Sequence, residues 1–416
     1  MLTRTRRRAE SLRYNARMST RPTWLNRNVA GMCVTSFCAD VGYEMVLAVL
    51  PGFAQAIGLA ASALGWIEGS ADALASFVKL GAGWYSDRIG RRKEIVTLGY
   101  FLSGTALSIL AAAAAWPLIL LGRLVAWFGK GIRGPLRDAM LSDAAPAGAR
   151  GKVFGLHRAA DTVGAVLGPL AGVWLLTVLP RTSSSAPYRG IFLLSLVPGL
   201  VAVASMVLLV REARLQPNPA LRLGQSLRTL PHAFLRLLRG VGLFGLGDFS
   251  HTLLVLAAAS LLTPAHGAMR AGQIAALLYA LRNGTYAAAA FPAGALADRM
   301  SKRSLLAAGY AMGALTAFAA AALFVAHNAG LVWLILLFAW GGAYIGVEKS
   351  LEAALTADLV PAETRGTAFG LLGSVNGVGD LVASALVGML WTHVSPATAF
   401  GAAGLIMACG AGLVLL

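Results

Sequence analysis

Long apolar runs alternate with short polar segments along the whole chain. Each run is bounded by Gly, Pro or charged residues, and a helix needs roughly 20 apolar residues to cross a bilayer. The pattern predicts an all-α integral membrane protein with twelve transmembrane helices. We assign these helices to residues 28–50, 62–84, 95–115, 117–139, 153–178, 190–210, 241–263, 272–295, 305–326, 331–355, 367–391 and 397–416.

One long polar connection interrupts this pattern. Residues 211–240 contain three prolines and six arginines, and they separate a six-helix unit at 28–210 from a second at 241–416. The Leu/Arg pattern near 221–239 fits an amphipathic surface helix and a solvated linker equally well. We therefore predict two six-helix bundles joined by this linker, with a basic tail at 1–27 in front of them.

Composition supports a membrane protein and excludes several other classes. The AVILMFWYC set makes up 57% of the residues and charged residues 13%, whereas ordinary globular domains have roughly 45–50% apolar and 25% charged residues. Soluble, disordered and disulfide-rich classes are excluded. The three cysteines lie in apolar runs without metal-ligand or disulfide spacing. We expect neither a metal site nor a cofactor.

The positive charges mark one side of the membrane. Lys and Arg give a net charge of +17, and they are concentrated in the N-terminal tail, the linker and alternate short connections. The positive-inside rule therefore predicts that both termini and the linker are cytoplasmic, in a bacterial inner membrane. This charge is a topological device and does not indicate nucleic-acid binding. An Arg-rich start also fits an organelle transit peptide.

Two segments of the first half recur in the second. The segment 143–156 (DAAPAGARGKVFGL) aligns without gaps on 358–371 (DLVPAETRGTAFGL), and 83–92 (GWYSDRIGRR) aligns on 294–303 (GALADRMSKR). Both pairs fall on the predicted cytoplasmic side. The repeats indicate a duplicated six-helix unit, which is typical of secondary transporters that rock around a site between their halves.

The segment 83–92 resembles the loop between helices 2 and 3 of the major facilitator superfamily. The second copy, with Asp298 and Arg299, departs only at Ser301, where Gly is expected. The resemblance covers residues 28–416. Within the superfamily, the chain is similar to a largely uncharacterised bacterial and archaeal branch. It implies the major facilitator fold, transport by alternating access, and a cytoplasmic latch that includes Asp87 and Arg88. The residues that carry the match are Gly83, Asp87, Arg88, Gly90, Arg91 and Arg92.

Helix 5 resembles the GxxxGPxxG pattern of antiporters in that superfamily. The matching residues are Gly164, Gly168, Pro169 and Gly172, and the pattern departs at the next position, Val173. The resemblance favours exchange over symport. Small residues at this spacing also occur wherever two membrane helices pack closely, so generic packing is the alternative.

Ionisable residues inside the predicted spans are the candidates for coupling and substrate binding, because burying a charge in a membrane is costly. An acid in a closing cavity can load and release a proton near neutral pH. The proton-coupling candidates are Asp40, Asp72 and Asp161. The substrate-cavity candidates are Glu44, Glu68, Arg123, His251 and Arg282. The alternative is that each acid belongs to a fixed ion pair, for example with Arg282 or Arg158.

Helix 4 carries a basic stripe that has acidic counterparts in the second half. Arg133 and Arg137 align with Glu348 and Glu352. Opposite charges at equivalent positions predict ion pairs that join the halves at a gate. The alternative interpretation is that the basic stripe binds an anionic substrate.

Taken together, these features predict a secondary transporter and no enzyme. No P-loop, nucleophile elbow or HExxH motif occurs in the sequence, so a membrane enzyme or receptor is only a remote alternative. We expect a monomeric, proton-coupled exporter that exchanges a small polar or amphipathic solute for protons. The alternative is a proton symporter that imports an anionic metabolite.

Overall fold

A computed structural model describes residues 24–57, 75, 78–180, 182–183, 185–212, 222–327 and 330–415. Within these ranges all regular secondary structure is helical. The helices of the first half are α1 (Arg27–Ala56), α2 (described at 78–89), α3 (Arg92–Thr105), α4 (Trp116–Ala144), α5 (Arg150–Val178) and α6 (Ala186–Leu209, interrupted at Ser195). A tighter 3₁₀ turn, Ala106–Ala112, extends α3.

The second half repeats this order. Its helices are α7 (two segments, His232–Gly245 and His251–His266), α8 (Ala268–Ala297), α9 (Lys302–Val325), α10 (Leu331–Leu359), α11 (Arg365–His393) and α12 (Pro396–Leu415). The prediction of an all-α fold with two six-helix bundles is confirmed. The observed helices mostly extend a few residues beyond the predicted bounds.

The lengths and surfaces of these helices suit a bilayer. Among the described residues, eight helices are long and apolar enough to cross a membrane. Large apolar side chains face outward on them, including Leu170 and Trp174 of α5 and Leu208 of α6, which are 61%, 62% and 67% exposed. Helices satisfy their backbone hydrogen bonds internally, so such a surface is stable against lipid.

The helix α7 differs most from the sequence-based expectation. Its first segment begins at His232, within residues that we predicted to be linker, because Phe234, Leu237 and Val241 bury one apolar face. Phe244 stacks on Tyr310 of α9 with ring centroids 3.7 Å apart. Residues 246–250 then break the helix. Only a short helix, Leu223–Arg228, lies in the described part of the linker ahead of it.

Candidate functional site

The two halves meet at the end of the bundle that carries the α2–α3 and α8–α9 connections, which we call the gate end. Asp87, at the end of α2, accepts hydrogen bonds from the backbone N–H groups of Gly366 (3.1 Å) and Thr367 (2.7 Å) and from the Thr367 hydroxyl (2.8 Å). These groups form the N-terminus of α11, where the helix dipole favours a carboxylate. Asp87 is therefore an N-terminal cap supplied by the other half.

Asp298 makes the reciprocal contact. Its carboxylate accepts hydrogen bonds from the backbone N–H groups of Gly151 (2.8 Å) and Lys152 (2.9 Å), which form the N-terminus of α5. Asp298 aligns with Asp87 in the repeat, and Gly151 aligns with Gly366. Each half therefore caps a helix of the other half with the same motif.

Two ion pairs join the same segments across the halves. Arg365 pairs with Asp143, and Arg150 pairs with Asp358 at 2.7 Å between Nη1 and Oδ1. These four residues occupy equivalent positions in the repeated segments 143–156 and 358–371. From the sequence, these residues were expected only to set the topology and to mark the repeat. Their role could have been found from the repeat, because an acid and an arginine seven residues apart recur in both copies.

A basic residue in each half links the cap to the ion pair. Arg92 contacts Asp87 at 2.7 Å and Asp143 at 2.6 Å, and it donates to the Ala362 carbonyl of the other half at 2.8 Å. In the second half Lys302 contacts Asp358 at 2.7 Å and lies 3.7 Å from Asp298. The gate end thus contains two equivalent charge networks, each of which joins the two halves.

Glycine permits the close approach that this network needs. The backbones of Gly83 and Gly366 touch, as do those of Gly151 and Gly294, and a Cβ atom on any of the four would overlap the partner backbone. A Cβ on Gly366 would lie 2.6 Å from the Gly83 carbonyl oxygen. Gly83, the first residue of the loop motif, therefore has a specific packing partner in the other half.

The remaining residues of the loop motif lie outside these contacts. The Arg88 guanidinium lies over the Trp84 ring, 5.6 Å from its centroid. Gly90 has a positive φ of 67° and turns the chain between α2 and α3. Arg91 and Arg299 are exposed. Of the predicted latch pair Asp87 and Arg88, the acid takes part in the cross-half contacts described here, and Arg92 is its basic partner.

A second cluster of charges lies within the first half, where α1, α4 and α5 meet. Asp40 lies 3.4 Å from Arg133, measured from Oδ1 to Nη2, and Asp161 lies 3.7 Å from Arg137, measured from Oδ1 to Nη1. Asp40 and both arginines are buried. Two of the three proton-coupling candidates are therefore brought together, each beside an arginine of the predicted basic stripe.

Arg137 also belongs to a dense polar network. Its guanidinium pairs with Asp138 at 3.0 Å, and Asp138 accepts a second hydrogen bond from Arg158 at 2.9 Å. The Ser36 hydroxyl, 3.3 Å from Arg137, is hydrogen-bonded at 2.8 Å to the His157 ring. This network fixes Arg137 within its own half.

Further along α1, two cations of α4 contact aromatic rings. Arg123 is fully buried and donates a hydrogen bond to the Tyr43 hydroxyl at 2.8 Å. The Lys130 ammonium lies 3.4 Å from the Tyr43 ring centroid and 5.2 Å from that of Trp127. Glu44 lies half-buried on the same helix as Tyr43.

The aligned acids of the second half have partners in that half. Glu348 accepts a hydrogen bond from the Lys349 ammonium at 2.6 Å. Glu352 accepts hydrogen bonds from the Tyr310 hydroxyl at 2.5 Å and from the Asn376 amide at 2.8 Å. The contacts described for Arg133, Arg137, Glu348 and Glu352 are thus all within one half, and the structure does not bring the predicted cross-half pairs together.

Other charged residues of the second half lie around this pair. The Tyr344 hydroxyl donates to Asp248 at 2.9 Å. His251 stacks on Tyr279 with ring centroids 4.8 Å apart, and Arg282 is buried on α8. Lys349 and the exposed Asp380 on α11 were not among the residues predicted from the sequence, although each is an ionisable residue in an apolar run.

Two of the candidate residues from the sequence have no described position. Glu68 and Asp72 lie outside the described residues. Among the residues that the structure does describe, no group of three or more His, Cys, Asp or Glu side chains could hold a metal ion.

The helix 5 motif packs directly on α1. Gly164, Gly168 and Gly172 place their Cα atoms against successive turns of α1, and a Cβ would lie 2.5, 2.7 and 2.9 Å from the carbonyl oxygens of Phe37, Val41 and Met45. Pro169 lies inside the continuous helix α5. Val173, which departs from the antiporter pattern, is 59% exposed and lies outside this seam.

Comparisons with known proteins agree with this architecture. An uncharacterised MFS-type transporter of Methanocaldococcus jannaschii is 30% identical over 392 residues, which cover 94% of this chain and 95% of that protein. A multidrug resistance protein B homolog of Mycobacterium tuberculosis is 32% identical over 177 residues, covering 42% of this chain and 31% of its own. The crystal structure of the Escherichia coli fucose:proton symporter superposes with a TM-score of 0.73 at 18% identity, covering 93% of this chain and 97% of that one.

The family model of the Major Facilitator Superfamily matches residues 32–280 and 241–416. The two matched ranges together span both six-helix bundles and their reciprocal gate contacts. This family and the transporter structures of the same fold indicate a transporter and not an enzyme. The chain belongs to the Major Facilitator Superfamily, as a multi-pass membrane transporter of small-molecule solutes.

Proposed function

We propose that the protein moves its solute by alternating access, with the gate end facing the cytoplasm. The reciprocal capping by Asp87 and Asp298 carries the proposal, because every bond in it joins one half to the other. Such bonds break when the halves rock apart. They therefore stabilise only the state in which the gate end is closed and the cavity opens to the other side.

Proton-coupled export is the finer proposal. Asp40 touches Arg133 through one long contact of 3.4 Å, so protonation of the acid releases the arginine without breaking a dense network. The same helix α1 packs on the antiporter-like glycines of α5. The partial similarity to a multidrug resistance protein supports the outward direction.

Proton symport of an anionic metabolite is the second candidate. Lys130 and Arg133 place two positive groups one turn apart on α4, and Lys130 contacts aromatic rings in the described part of its surroundings. A deprotonated solute could bind there while Asp40 takes up a proton. This arrangement keeps the alternating-access cycle and reverses its direction.

The test is proton movement in proteoliposomes. Purified protein is reconstituted with an internal pH-sensitive dye, a pH gradient is imposed, and anionic, cationic and neutral solutes are added outside. We expect proton flux that depends on one class of solute and is lost in Asp40→Asn. Glu94→Gln is the matched control, since among the described residues this exposed acid pairs with exposed Arg91.

The outcomes separate the candidates. Solute-dependent proton flux opposite to solute flux supports exchange, and flux in the same direction supports symport. Labelled solute that crosses without any proton movement in both Asp40→Asn and the unchanged protein would refute proton coupling and leave alternating access in place.

A further inference from the structure

We propose that the transported solute is a small zwitterion, which binds its anionic group to the first half through Lys130 and Arg133 and its cationic group to the second half through Glu348 and Asp380. The proposal rests on the transport function proposed above. It adds the charge class of the solute, which the alternatives of export and import leave open.

The first wall of the site is cationic. The Lys130 ammonium rests on the ring faces of Tyr43 and Trp127, and Arg133 stacks on the Tyr100 ring at 4.3 Å while touching Asp40. Arg133 is 4% exposed, and its Nη1 has no hydrogen-bond partner among the described residues. A buried donor without a partner is costly, so an acceptor on the solute would satisfy it.

The second wall is anionic. Glu348 is 1% exposed, and its Oε2 has no hydrogen-bond partner within the described part of the chain, although Oε1 accepts from Lys349. Asp380 is exposed on α11, and its charged neighbours are two cations, Lys79 and Lys349, and two acids, Asp248 and Glu352. Here the missing partner is a donor, which an ammonium group supplies.

The repeat puts the two walls opposite each other. Arg133 on α4 and Glu348 on α10 are equivalent positions of the repeated halves. Halves of this kind are related by an axis along the membrane normal, so equivalent residues lie at the same depth on opposite sides of that axis. The sign of the charge is reversed between them, and a solute between the walls meets a positive side and a negative side at one level.

Arg282 is a cation of the second half, but it belongs to a different level. Its backbone carbonyl lies against Gly342 of α10. Six residues separate Gly342 from Glu348, which corresponds to about 9 Å along a helix. Lys349 is the cation at the depth of Glu348, and the carboxylates around it keep this side acidic: Asp248, Glu348, Glu352 and Asp380.

The test compares solutes that carry both charges with related solutes that carry only one. Purified protein in nanodiscs is titrated with two matched sets, and affinity is read from the shift in thermal unfolding. The first set is leucine, N-acetyl-leucine and leucine methyl ester, and the second is phosphoethanolamine, N-acetyl-phosphoethanolamine and ethanolamine. We expect the zwitterion of one set to bind roughly tenfold or more tightly than both singly charged analogues, since a buried charge left unpaired lowers affinity strongly.

A variant in one wall should abolish the preference of the protein for the zwitterion over one singly charged analogue and keep the preference over the other. In Glu348→Gln or Asp380→Asn the advantage of the zwitterion over the N-acetyl anion should disappear. In Lys130→Gln the advantage over the methyl ester or ethanolamine should disappear. Glu94→Gln should change neither ratio. A merely structural role for these residues would weaken all solutes together and leave the ratios unchanged.

An anion or a cation that binds as tightly as its matched zwitterion, or zwitterions that give no shift at all, would overturn the proposal. Transport of a singly charged solute by the same preparation would leave the alternating-access function standing. Failure of the transport function itself would show as no solute flux and no response of the gate contacts, whatever the charge of the solute.

Discussion

Replacement of Asp87 by asparagine tests the gate most directly. Asp87→Asn keeps the size of the side chain and replaces one carboxylate oxygen with an amide nitrogen. In the side-chain orientation that keeps most hydrogen bonds, the amide oxygen accepts from the N–H and hydroxyl groups of Thr367. The amide nitrogen then faces the Gly366 N–H and the Arg92 guanidinium, which are both donors.

The cost falls on the closed state alone. One bond to a charged acceptor is lost, worth about 1.5–3 kcal/mol, and the two bonds that remain lose the roughly twofold advantage of a charged acceptor. The sum is about 3 kcal/mol, which corresponds to about a hundredfold change in the ratio of closed to open gate. The bond between Asp87 and Arg92 lies within one half and does not distinguish the states.

Spin labels at Arg91→Cys and Arg299→Cys would measure this ratio, since both positions are exposed and lie in the two copies of the loop motif. The three native cysteines are first replaced. In nanodiscs, double electron–electron resonance should show a longer-distance population that grows about a hundredfold relative to the shorter one in Asp87→Asn. Glu94→Gln serves as control. An unchanged distance distribution would refute the latch.

Three further predictions concern the second cap, the packing of α5 on α1 and the topology. Asp298→Asn should shift the distances between the spin labels in the same direction as Asp87→Asn. Unchanged distances in Asp298→Asn would show that only one of the two caps holds the gate. Gly168→Leu should lower the thermal midpoint and the yield of monodisperse protein, because the new Cβ would overlap α1. Gly284→Leu is the control and should lower neither, because the space around its Cα is open. Equal losses in both variants would contradict close packing of α5 on α1. Arg91→Cys should react with a membrane-impermeant maleimide in inside-out vesicles and stay unlabelled in intact cells, and the reverse would invert the topology.

The contacts of the gate end rest on local chemistry. Capping needs an acid at the end of one helix and free N–H groups at the start of another, and both are encoded in short motifs that recur in the two halves. The resemblance of the loop motif therefore singled out Asp87, and the repeat singled out Asp298, without any knowledge of packing. What it missed was the partner of Asp143, because residues 222 positions apart in sequence meet only when the halves close.

The interior charges were harder to assign. Arg133 and Glu348 were expected to pair across the halves, yet Arg133 turns to Asp40 of α1 and Glu348 to the adjacent Lys349. Alignment gives the position of a residue on its helix but not which of several nearby partners its long side chain reaches. The break at 246–250 was missed although Gly247 and Asp248 lie in it, because long apolar runs continue on both sides of this short segment.

The reciprocal caps bear on how the chain arose. A six-helix unit on its own already carries both parts of the contact, the acid after its second helix and the helix N-terminus that receives it. Two separate copies around a two-fold axis would form each bond twice, as an isologous homodimer does. Fusion of the copies into one chain then frees positions such as 133 and 348 to take opposite charges, which identical subunits cannot do.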